Sequence, residues 1–95
     1  MDNKTIYDFD PQKNALLIKL RQISFEEIIL VLETKGALDV MRHPNTQKYS
    51  HQKMYVVELN DYAYLVPFVE SNGKIFLKTA FPNREATKKY LKQVR

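Results

Sequence analysis

Ninety-five residues, 44% of them apolar and none of them Cys, with a formal net charge of +4, describe one small globular domain over residues 1–95 rather than a disordered or multidomain chain. The lack of Cys excludes disulfides and thiolate metal sites, and two His are too few for a dedicated metal centre, so no cofactor is expected. No apolar run approaches the roughly 20 residues of a membrane span. Residues 1–10 carry three acids instead of a leader's apolar stretch. The expectation is a cytoplasmic protein with no membrane association.

Along the chain, residues 4–9 alternate weakly and predict a short edge strand. Asp10-Pro11 reads as a helix start: the carboxylate can accept from free N–H groups of the first turn, and Pro fits the first helical position. This helix is expected to run to about Leu20, with Leu16, Leu17 and Leu20 facing the core. A second start follows at Ser24, where Glu27 three residues on makes a capping box. Phe25, Ile28, Ile29 and Leu32 then recur at helical spacing, and Gly36 ends the run.

From residue 37 the apolar period changes to two. Strands are predicted over 37–41, 53–59, 62–70 and 74–80, with a polar loop at 42–52. Asn60-Asp61 and Ser71-Asn72-Gly73 supply hairpin turns. Pro67 inside a strand predicts an edge or a bulge. Phe81-Pro82-Asn83 is expected to break the sheet. Asn83 or a neighbour then caps a last helix, with Ala86, Tyr90, Leu91 and Val94 as its inward positions. The fold class is α+β: a small antiparallel sheet braced by two N-terminal helices and one C-terminal helix. One sheet face is left for solvent or a ligand.

Charge is segregated. Residues 74–95 hold seven basic residues and one acid, whereas residues 1–73 sum to −2. A positive end of this kind favours a polyanion or an acidic protein partner. A solvated Lys-rich terminal helix has the same composition, so charge alone leaves both readings open.

No phosphate-cradling glycine loop, HExxH or nucleophile elbow is present. What the sequence does hold is a scattered set of cationic and proton-transferring side chains. His43, Lys48, His51 and Lys53 lie in or beside the polar loop, Lys78 closes a strand, and Arg84 stands at the mouth of the last helix. Metal-free RNA cleavage needs such a set: a base for the ribose 2′-OH, cations for the phosphorane charge, and an acid for the leaving 5′-oxygen. The planar fork of Arg84 suits a phosphate. Lys53 opens its strand and Lys78 closes another, so the two can be neighbours if the sheet order cooperates. Lys48, Lys88 and Lys89 are candidate phosphate contacts, and Tyr55 is a candidate platform for base stacking. Each of these also fits a solvent-facing or half-buried packing role.

The run Phe9-Asp10-Pro11-Gln12-Lys13-Asn14, the box Ile23-Ser24-Phe25-Glu26-Glu27 and the segment Pro82-Asn83-Arg84-Glu85-Ala86-Thr87-Lys88-Lys89-Tyr90 resemble BrnT-type toxins in order and spacing. Those toxins have a similar Asp-Pro-x-Lys-x-x-x-Asn run, a similar Ser-Phe-Glu-Glu box and a similar Arg-x-Ala-Thr segment. The resemblance implies a RelE/ParE-like fold and a metal-independent ribonuclease toxin of a type II toxin–antitoxin system. It also implies an RNA substrate and a cognate small DNA-binding antitoxin in a hetero-oligomer. Arg84 falls on the family's arginine, and Lys53 where the family often has a basic residue. His43 matches its Asp/His-containing segment only loosely. Leu20-Arg21-Gln22 stands where the family has Lys-His-Gly. In this reading Arg84, Lys53, Lys78, His43 and His51 carry catalysis. Two other functions stay open: a non-catalytic nucleic-acid- or protein-binding module, and a superfamily relative acting on another target such as gyrase.

Overall fold

The computed structural model describes residues 5–42, 45, 47–48 and 52–91. Strand β1 (Ile6–Phe9) leads into helices α1 (Pro11–Arg21) and α2 (Phe25–Thr34). Four strands follow: β2 (Asp39–Arg42), β3 (Lys53–Leu59), β4 (Tyr62–Ser71) and β5 (Lys74–Leu77). A two-residue strand, β6 (Phe81–Pro82), precedes helix α3 (Arg84–Tyr90). The strands form one sheet in the order β1-β5-β4-β3-β2, with β6 pairing β4 beyond the end of β5.

The helix starts are built by the side chains that mark them in the sequence. Asp10 accepts from the Gln12 N–H at 2.9 Å, and Pro11 sits where no N–H is needed. Ser24 and Glu27 exchange reciprocal bonds, each 3.1 Å, in a complete capping box. Asn83 accepts from the Ala86 N–H at 2.7 Å. Both hairpins use two consecutive left-handed residues: Asn60 and Asp61 at φ 54° and 64°, and Asn72 and Gly73 at 52° and 79°. That geometry matches the right-handed twist of the paired strands.

Strand alternation divides the sheet into two faces. On one, Val57, Leu59, Val66, Phe68, Ile75 and Leu77 meet Leu17, Ile23, Phe25 and Ile28 from α1 and α2. On the other, Met54, Val56, Ala63 and Leu65 meet Ala86 of α3, with Met41, Phe81, Tyr90 and Leu91 packed around them. Asn14 is the buried polar residue joining the first two helices. Its Oδ1 accepts from the Phe25 N–H at 2.7 Å and its Nδ2 donates to Glu26 at 2.8 Å.

Several expectations are corrected. The sheet is mixed, because β1 runs parallel to β5. Helices occupy both faces, so the second face is covered over its β2–β4 half. Leu16 and Leu20 are 51% and 72% exposed, and Leu17 alone of the three leucines enters the core. Burial on α1 centres on Asn14 and Leu17, three residues apart on one face, and Leu16 and Leu20 fall on the flank of Leu17 away from Asn14. Phe81-Pro82 extends the sheet instead of breaking it, and β5 ends at Leu77. Pro67 is buried within β4. Its carbonyl accepts from the Lys78 N–H at 2.8 Å, so its missing N–H faces the gap between β5 and β6. Val94 lies outside the described residues.

Candidate nucleic-acid interface

Strand β5 alternates between the two faces. Ile75 and Leu77 enter the helix-covered core, while Lys74 and Phe76 emerge on the opposite face. Val69 lies across from Phe76, and Ile6 across from Lys74. Lys74 is exposed and Phe76 only partly buried. Lys78 follows the end of β5 and places its ammonium 5.5 Å from the Phe76 ring centroid, within range of a cation–π contact. Since α3 packs on Met54, Val56, Ala63 and Leu65, this β5 half of the second face carries exposed cations, with the exposed Asp8 directly across from Phe76, beside apolar and aromatic surface.

Arg84 stands at the first position of α3. The residues around it are tied to β4 through Ala63. The Ala63 carbonyl accepts from the Asn83 N–H at 3.0 Å, and the Ala63 N–H donates to Thr87 Oγ1 at 2.9 Å. Thr87 in turn donates to the Asn83 carbonyl at 2.8 Å. Among its neighbours in the segment, Asn83 caps, Ala86 packs and Thr87 anchors. The Arg84 side chain is exposed, with no ion pair or hydrogen bond among the described residues. Nor does the local field favour a cation there, because helix dipoles stabilise positive charge at the opposite end.

Lys88 and Lys89 occupy the last turn of α3, where the helix itself favours cations. Lys89 lies 5.2 Å from the Tyr90 ring centroid. The Tyr90 hydroxyl donates to Asp39 on edge strand β2. That bond, then the Val40 N–H and the Lys89 charge, hold the Asp39 carboxyl below its ordinary range. The same bond raises the Tyr90 hydroxyl.

Tyr55 belongs to the other face. It stacks on Phe68 with ring centroids 4.0 Å apart, and Tyr7 packs against the same core. Burial first, then the charges of Tyr7 and Glu70, push its hydroxyl up to about 12. Tyr55 is therefore partly buried against Phe68 on the face packed by α1 and α2. Phe76 is the aromatic side chain on the uncovered half-face, and no local sequence signal singles it out.

Lys53 and Lys78 lie at the same end of the sheet but on opposite sides. Lys53 pairs with Phe68, and Phe68 pairs with Leu77, so Lys53 shares the face of Leu77. Lys78 instead reaches over Phe76. The neighbourly relation expected of the two lysines is thus interrupted by the sheet. What Lys53 meets is Arg42, its direct partner across β2 and β3. Arg42 was not among the expected site residues, although it and Lys53 flank the polar loop symmetrically. Lys48 N–H donates to Asn45 Oδ1 at 3.1 Å within that loop. His43 and His51 lie outside the described residues.

Among the described residues no group of three His, Asp or Glu could hold a metal ion, and no helix is long and apolar enough to cross a membrane. In comparisons with known proteins, the chain matches no family model, and no curated relative or solved structure matches it significantly.

Proposed function

We propose that this chain is a metal-independent ribonuclease toxin with a RelE-like fold, held by a small DNA-binding antitoxin. The observation that carries the reading is Arg84. It sits in the Arg-x-Ala-Thr segment that resembles BrnT toxins, is anchored through its neighbours to β4, and has no structural contact of its own among the described residues. Lys74 and Lys78 support the reading by adding cations around Phe76.

In this reading the Arg84 guanidinium binds the non-bridging phosphate oxygens and stabilises the phosphorane charge. Lys78 adds a second cation. A base, His43 or His51, takes the proton from the ribose 2′-OH as its oxygen attacks phosphorus, and an acid returns a proton to the departing 5′-oxygen. Lys88 and Lys89 extend the phosphate-binding surface along α3. The antitoxin covers the basic surface with an acidic or amphipathic segment.

A second reading is favoured by the split of Lys53 from Lys78. Side chains on opposite faces of one sheet suit a binding module better than a single catalytic centre. Expression without a partner in a bacterial host separates the two. The toxin reading predicts growth arrest with RNA loss preceding any DNA damage, relieved by Arg84→Ala. Growth and RNA both left intact would sink it. RNA binding with a steep salt dependence but no strand cleavage selects the binding module.

A further inference from the structure

The end of the sheet face packed by α1 and α2 carries a second basic site. Arg42 and Lys53 are direct cross-strand partners, and Lys53 is in turn the direct partner of Phe68. Paired residues point to the same side, so the three form one row across β2, β3 and β4. Like charges placed directly opposite each other destabilise a sheet. Here neither cation has an ion pair among the described residues. The row borders an open groove of about 470 Å³ lined also by Gln52, Glu70 and the Asn72-Gly73 turn.

We infer that this groove binds a phosphate group, held between the Arg42 guanidinium and the Lys53 ammonium. Two cations converging on one concavity offset their mutual repulsion when a dianion or diester sits between them. Arginine contributes paired N–H donors in a plane, and lysine a point charge. Gln52 and Asn72 add amide donors at the rim. Glu70 opposes the anion and limits affinity. The site is separate from Arg84 and Lys78, which belong to the other side of the sheet. Only the source of the phosphate, an RNA end or backbone, rests on the function proposed above.

The test is amide and side-chain NMR of the full chain, titrated with inorganic phosphate, with a 5′-phosphorylated RNA dinucleotide, and with the same dinucleotide lacking that phosphate. Saturable shifts at Gln52, Lys53, Asn72 and Gly73 are expected with inorganic phosphate. Among the dinucleotides, a response to the phosphorylated one alone assigns the site to RNA ends, and equal response to both assigns it to the backbone. Arg42→Gln should weaken phosphate binding by roughly tenfold, the loss of one charge-assisted contact. Glu70→Gln should tighten it. Both positions are exposed, and an unchanged spectrum elsewhere confirms the fold of each variant. No saturable shift at these residues, or affinity unaffected by Arg42→Gln, overturns the inference. RNA cleavage enters neither readout, so an inactive protein that still binds phosphate refutes the ribonuclease reading and leaves this site standing.

Discussion

The Thr87 hydroxyl bridges a helix and a strand: it accepts from the Ala63 N–H at 2.9 Å and donates to the Asn83 carbonyl at 2.8 Å. Because the Ala63 carbonyl also accepts from the Asn83 N–H, the first turn of α3 is fastened to β4 on both sides of one residue. Arg84 lies inside that clasp. Its position relative to the sheet is therefore set by hydrogen bonds and not by packing alone.

Thr87→Val keeps the shape and removes both bonds. It leaves a part-buried Ala63 N–H unsatisfied, a loss of about 1–3 kcal/mol by the usual cost of such a group. Urea unfolding should show that loss, and Thr87→Ser should recover most of it. If Arg84 acts on phosphate, Thr87→Val should also lower toxicity at temperatures where the variant stays folded. Stability equal to that of the parent chain would contradict the clasp.

Asn14 does the corresponding work between α1 and α2. It is 8% exposed and satisfies the N–H of a fully buried residue, Phe25. Asn14→Ala should cost about 2 kcal/mol or more, from the orphaned N–H together with the lost volume. It should also raise the Glu26 carboxyl toward its ordinary range, since the Asn14 bond is the largest cause of its depression. Thermal unfolding and a carboxyl NMR titration read the two effects separately.

Gln22 ends α1 at φ 59°, a left-handed conformation that favours glycine. The turn therefore carries the strain of a side chain. Gln22→Gly should stabilise the protein by roughly 0.5–1 kcal/mol, the relief of that strain less the added freedom of the unfolded chain. Destabilisation in a denaturant melt would show that the Gln22 side chain has a compensating contact.

The Tyr90–Asp39 bond joins the end of α3 to the edge strand and gives a pH signature. The Asp39 carboxyl is depressed on folding, so its contribution is present above the unfolded value and is lost as pH falls through the folded one. The Tyr90 hydroxyl is raised, so its contribution holds below the unfolded value and is lost as pH rises through the folded one. Tyr90→Phe should return Asp39 toward the ordinary carboxylate range in a carboxyl NMR titration. An Asp39 titration indifferent to this change would mean that the bond does not persist in solution.

Local punctuation is the most legible part of the sequence. Asp10-Pro11, Ser24–Glu27, Asn60-Asp61, Asn72-Gly73 and Asn83 all do what their chemistry predicts, because a cap or a tight turn is decided within four residues. Alternation alone places strand β3 residue for residue. Harder to read are relations between distant segments. Nothing local tells β1 to run parallel to β5, or α3 to lie across β2–β4. The expected site suffers for the same reason. Whether Lys53 and Lys78 share a face depends on the parity of a three-strand register, and one residue of offset places the sheet between them. Arg42 and Phe76 become visible only once the strands are paired.

The most direct measurement of the central claim is cleavage of a defined RNA by the purified chain in the presence of a chelator, compared with Arg84→Ala and Lys78→Ala. A metal-independent ribonuclease should give strand scission that persists without divalent ions and yields 2′,3′-cyclic phosphate ends. Scission should fall at least about a hundredfold on removal of Arg84, in line with the loss of a transition-state charge contact, with a smaller loss for Lys78. Intact RNA after prolonged incubation with folded protein, or cleavage indifferent to Arg84, would contradict it.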